Sequence, residues 1–191
     1  MDVKLRTALT EGIRLFFWSI SFFYRHPSLV LLSLIPSTFR FIQMWNDRVP
    51  VWMEVIVEST RVVLFFLAIA IMSESKLRAV FGHELWKRWN HSLKVELERN
   101  WPFTFLAQIL VFAIGLYGLG NSVIEWLLHP AFVTWLMAAL GFETFDYDQV
   151  FTASLFFLKN MTVIPLSIVY ILRMLGAGIH EPESASTHPE G

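Results

Sequence analysis

An all-α, polytopic membrane helical bundle is the fold class this chain predicts, with about four transmembrane helices plus interfacial amphipathic helices. Three observations carry that expectation. Of 191 residues, 55% are hydrophobic and 16% aromatic, and only 16% are charged, a balance outside the usual soluble range. Residues 100–124 hold no charge over 25 positions, enough to cross a hydrocarbon layer of about 30 Å. Ten of the 15 basic residues lie in two segments, 1–27 and 74–101, as the retention of Lys and Arg on the cytoplasmic side of short loops requires.

Composition also excludes. A formal net charge of -1 provides no concentrated basic surface for phosphates, so nucleic acid is not an expected partner. The absence of cysteine removes disulfides, thiolate nucleophiles and cysteine metal ligands. Lys4, Arg6 and Arg14 precede an apolar patch as in a secretory signal, but "SFFYRHP" stands where a small-residue cleavage site would fall, so this stretch is expected to stay in the mature protein.

The elements follow in order. Residues 3–24 place Leu5, Leu9, Gly12, Ile13, Phe16, Ile20 and Phe23 three or four apart, opposite Arg14, Trp18, Ser21 and Arg25, which predicts an amphipathic helix. Its strongly apolar part, "LFFWSISFFY", has 10 residues, half of what a span needs. Two placements therefore stay open, one in the membrane interface and one packed on the other helices. His26-Pro27 ends that helix, a first span at about 28–45 contains Pro36, and "NDRVP" makes a turn before a second span at 51–73.

In residues 74–100, Leu77, Phe81, Leu85, Trp89, Leu93 and Leu97 recur every fourth position among charges. This predicts one long amphipathic helix along the membrane surface or against a protein partner. The third span is expected at 102–124, where Gly115, Gly118 and Ser122 would allow close helix approach. "GLYGLG" within it lacks the Lys-Ser/Thr of a phosphate loop. Residues 131–142 are too short to span and are expected to insert partly or lie on the surface, and "ETFDYDQ" is an acidic loop. A fourth span at 150–175 carries Lys159 and Pro165. Residues 1–178 thus form a single membrane domain, and 179–191 read as a disordered polar tail.

Residues 1–27 hold Lys4, Arg6, Arg14 and Arg25, and 74–101 hold Lys76, Arg78, Lys87, Arg88, Lys94 and Arg99. The opposite connections offer Arg48 against Asp47, Glu125, Glu143, Asp146 and Asp148. A multi-pass protein of a cell membrane, bacterial in setting, with both termini cytoplasmic satisfies this distribution. Trp18, Trp45, Trp52, Trp86, Trp89, Trp101 and Trp126 fall near the expected span ends, as an aromatic belt would.

Charges inside the spans are the candidate functional residues. The uncharged stretches between the inner face and Arg40, Arg61 and Lys159 run 11 to 13 residues, placing all three cations roughly 17 to 20 Å above that face at 1.5 Å per residue. Glu58 lies three residues before Arg61 on one helical face, and Glu54 one turn further out. A mid-membrane charge costs about 2.5 to 3.5 kcal/mol on insertion scales, so such residues face the bundle interior, water or one another. Arg40, Glu54, Glu58, Arg61 and Lys159 are therefore read as an intramembrane polar cluster. The alternative has Arg40 and Lys159 snorkelling to the outer headgroups, with Glu54 and Glu58 at the favourable helix N-terminus.

No catalytic residues, metal ligands or cofactor are expected. "HELWKRWNH" puts His83 and His91 eight apart, where a zinc-protease helix needs four, and no nucleophile and base grouping occurs in a suitable context. "FFYRHPSLVLLSLIPSTFRFIQMW" and "MTVIPLSIVYI" resemble the opening and a late Pro-containing helix of the CysZ-type sulfate permease family, over about a quarter of the chain. The resemblance implies anion transport assisted by half-inserted helices. Two functions follow: a non-catalytic accessory membrane protein whose segment 74–100 and acidic loop 143–148 contact partners, and a small-anion permease using the basic layer.

Overall fold

The computed structural model describes residues 2–45, 49–142 and 144–178. The tail expected at 179–191, and Asp47, Arg48 and Glu143 of the connections expected on the outer side, lie outside them. Among the described residues every regular element is a helix: α1 (Asp2–Arg25), α2 (Pro27–Gln43), α3 (Val51–Met72), a 3-10 turn (Leu77–Phe81), α4 (His83–Asn100), α5 (Phe103–Phe112), a π-helical stretch (Ala113–Leu119), α6 (Gly120–Leu127), α7 (Pro130–Leu140), α8 (Tyr147–Met161) and α9 (Val163–Met174). An all-α bundle is the result.

Three runs are long and apolar enough to cross a membrane: α3 with 22 residues, Phe103–Leu127 with 25 and Tyr147–Met174 with 28. They fit an integral membrane protein. The helix α2, expected as a further span, has 17 residues. It begins with Pro27, whose fixed φ suits a first turn, and carries Pro36 in its interior. Ser33 and Ser37 beside that proline are fully buried, and their hydroxyls donate to Leu29 O at 2.8 Å and Ser33 O at 2.6 Å. Bonding back one turn is how a hydroxyl becomes tolerable in an apolar interior.

The lead-in helix α1 packs on the bundle, along α5 and α9, with Ala8, Gly12, Ser19 and Phe23 on its buried face. A Cβ at Gly12 would sit 3.0 Å from Val111 Cγ2, and one at Gly115 would sit 2.8 Å from Phe16 Cε2. The two helices therefore approach too closely for side chains at either glycine. Leu5 and Ile13, expected on the buried stripe, are exposed, because the contact line follows the small residues rather than the largest ones.

The segment expected as one helix over 74–100 is divided. Residues 77–81 form a 3-10 turn, Gly82 is extended at φ -89 and ψ 143, and α4 starts at His83. The fourfold stripe divides with it: Leu85 is buried, whereas Leu77, Phe81 and Leu97 are exposed. Trp86 Nε1 donates to Val80 O at 2.6 Å, fastening α4 to the turn, and Trp89 Nε1 donates to Leu175 O at 3.0 Å, fastening it to the end of α9.

Residues 131–142 become α7, capped by His129, whose Nδ1 accepts from the Phe132 N–H at 3.1 Å, and ended by Gly141 in the left-handed region at φ 70. The run from 147 to 174 breaks at Thr162 (φ -124, ψ -71), three residues before Pro165. Two cores result. Phe23, Leu29, Ala68, Ile69, Leu116, Val169 and Tyr170 join α1, α2, α3, the π stretch and α9, and Tyr170 donates to Gln108 O at 2.8 Å. Ile124, Leu128, Val133, Val150 and Val163 form the other, where α6, α7, α8 and α9 meet.

Candidate functional site

The C-terminal end of α2, the first turns of α3 and the end of α8 converge on one network. Arg40 lies in the last turn of α2 and Glu54 in the first turn of α3, where the helix dipoles favour a cation and an anion respectively. Because α3 begins only eight positions after α2 ends, these ends meet: Arg40 Nη1 donates to Glu54 Oε1 at 2.6 Å and to Gln43 Oε1 at 2.8 Å. Arg40 Nη2 reaches Glu58 Oε1 at 3.5 Å.

One turn deeper, Arg61 Nη1 donates to the same Glu58 oxygen at 2.6 Å, the i,i+3 spacing having set both on one helical face. Arg61 Nη2 donates to Asn160 Oδ1 of α8 at 2.7 Å. The order is thus Glu54, Arg40, Glu58, Arg61, Asn160. Two guanidinium and two carboxylate groups leave it formally neutral. The arginine side chains are 19% and 25% exposed and the glutamates 45% and 57%, so the cations lie inward and the carboxylates face outward.

Of the five residues expected in the cluster, four are brought together. Lys159 is half-buried and makes no ion pair among the described residues. Its neighbour Asn160, buried and donating Nδ2 to Phe156 O at 2.8 Å, takes the place in the network. Asn160 and Gln43 are functional candidates that the sequence reading missed. Gln43, three residues after Arg40, and Asn160, a lone amide in an apolar run, were the available signals.

The network is not saturated. Gln43 is 2% exposed and its Nε2 has no acceptor among the described residues, and Arg61 Nε is likewise buried without one. An unmet buried donor costs about 1 to 3 kcal/mol, so the site suits an added acceptor such as water or a small anion. Aromatic rings border it: Phe39 meets Trp52 edge to face at 5.9 Å, and Phe41 meets Phe157 at 6.0 Å. Trp45 stacks on Phe145 at 5.1 Å beyond them.

His83 and Glu84 lie on exposed positions of α4, and among the described residues no group of three or more His, Asp or Glu side chains is placed to hold a metal. Comparisons with protein-family models, curated proteins and solved structures found no match.

Proposed function

We propose that this is a non-catalytic accessory protein of a bacterial cytoplasmic membrane, in which the charge network holds the helices in register and α4 serves as the cytoplasmic interaction element. The observation that supports it most is that both arginines are engaged by the protein's own groups. Arg40 is engaged by Glu54, Glu58 and Gln43, and Arg61 by Glu58 and Asn160. A permeation layer needs cations available to a passing anion. In this reading α2, α3, the 103–127 run and the 147–174 run cross the membrane, both termini are cytoplasmic, and α4 and the acidic loop before α8 meet partners on opposite sides.

Liposomes loaded with sulfate or chloride and reconstituted with the purified protein test it. Flux should equal that of protein-free vesicles. Flux above that background, lost in Arg61→Gln, would replace this reading with the second one, a small-anion permease. That second reading is favoured by Gln43 Nε2 and Arg61 Nε, buried donors with no acceptor among the described residues, and by Lys159, which makes no ion pair among them. The resemblance to sulfate permeases belongs with it.

A further inference from the structure

The 3-10 turn Leu77–Phe81 is unusual in what it exposes. Phe81 is 75% exposed and Leu77 45%, and the Phe81 ring packs on Phe66 with centroids 5.5 Å apart. Phe66 lies six residues inside the end of α3 at Met72, which is roughly 9 Å along the helix axis at 1.5 Å per residue. With α3 crossing the membrane as proposed above, the turn would reach back beside the span to hydrocarbon depth, with its two large apolar side chains outward. The hydrogen bond from Trp86 to Val80 O ties the first turns of α4 to it, which places those turns at the level of the lipid headgroups.

At that level lies an open groove of about 440 Å³ whose lining among the described residues, His83, Trp86, Lys87, Trp89, Asn90 and Leu93, comes from α4 alone. Both indole N–H groups are already used, on Val80 O and Leu175 O, so the two tryptophans present ring faces, with centroids 5.2 Å apart. The donors left to the groove are those of Lys87, His83 and Asn90. Lys87 has no carboxylate partner among the described residues, and Arg88 follows it directly on α4. Glu84 is the acidic neighbour on the same turn and lies outside the lining.

We propose that this groove binds the headgroup of an anionic phospholipid, its phosphate held by Lys87, His83 and Asn90 and its acyl chains lying against Leu77, Phe81 and the Trp86 ring. A membrane lipid fits better than a free phosphate because the cations and the exposed apolar side chains are contiguous, which suits an amphiphile. The site rests on the protein's being membrane-embedded.

Native mass spectrometry of the full-length protein, given equimolar phosphatidylglycerol and phosphatidylcholine in detergent, tests it. Wild type should retain phosphatidylglycerol preferentially. Lys87→Gln should lower that preference about fivefold, the contribution of one lysine at an anionic surface, with Lys87→Arg retaining it and Lys94→Gln, two turns further along α4 and outside the lining, leaving it unchanged. Millimolar inorganic phosphate should not displace the lipid. Equal retention of both lipids, an unaltered preference in Lys87→Gln, or displacement by phosphate would overturn the site. Thermal midpoints identify any variant that fails to fold, in which case His83→Gln with Asn90→Ala carries the same expectation. Carbonate-resistant membrane fractionation separates failure of the site from failure of the membrane reading, since only the latter would release the protein.

Discussion

Glu58 is the residue on which the charge network turns, and its removal gives a graded expectation. Its carboxylate lies 2.6 Å from Arg61 Nη1 and 3.5 Å from Arg40 Nη2. Glu58→Gln keeps the shape and removes the charge. Arg61 retains its bond to Asn160 at 2.7 Å, but its Nε is already buried without an acceptor, so nothing replaces the lost charge-assisted bond. Such bonds contribute about 1.5 to 3 kcal/mol. The outward half of Glu58, at 57% exposure, lowers the expectation toward about 1.5 kcal/mol, above the 0.2 to 1 kcal/mol typical of wholly exposed pairs.

Double-mutant cycles then rank the contacts. Glu58→Gln with Arg61→Gln should show a coupling of about 1 kcal/mol, as should Glu54→Gln with Arg40→Gln across their 2.6 Å contact. Glu58→Gln with Arg40→Gln should be additive within about 0.5 kcal/mol, because a 3.5 Å contact is at the limit of a hydrogen bond. Equilibrium unfolding in mixed detergent and dodecyl sulfate micelles measures all three. Additivity in the first two cycles would refute the argument that the charge network stabilises α3 and its junction with α2.

Gly115→Leu should destabilise by about 1 to 3 kcal/mol in the same assay, since its Cβ meets the Phe16 ring at 2.8 Å, and Phe16→Ala in the same protein should recover part of the loss. Tyr170→Phe should cost about 1 to 2 kcal/mol by leaving Gln108 O without its 2.8 Å bond in the core. Because the chain has no cysteine, Lys94→Cys and Asp146→Cys can be labelled singly with an impermeant maleimide in oriented vesicles. They should react from opposite faces, Lys94→Cys from the cytoplasmic one, and labelling from one face would end the proposed topology.

The sequence by itself determined the helical class and the membrane setting, because both depend on summed local quantities. The uncharged run at 100–124 and the low overall charge suffice, whatever the tertiary contacts. The pairing of Glu58 with Arg61 was legible for the same reason, since a three-residue separation on one helix fixes a shared face. Contacts between distant segments were not legible in this way. That Arg61 meets Asn160 rather than standing in a layer with Lys159 depends on the rotation of α8 about its axis, and a shift of one residue turns a side chain by about 100°. The burial of α1 depended on Gly12 and Gly115 arriving opposite Val111 and Phe16, which the stripe of large apolar residues did not encode. The division of 74–100 at Gly82 was decided by the contacts of Phe81 with Phe66 and of Trp89 with Leu175. Local periodicity chose which residues were helical, and only the packing of separate helices chose which of their faces met.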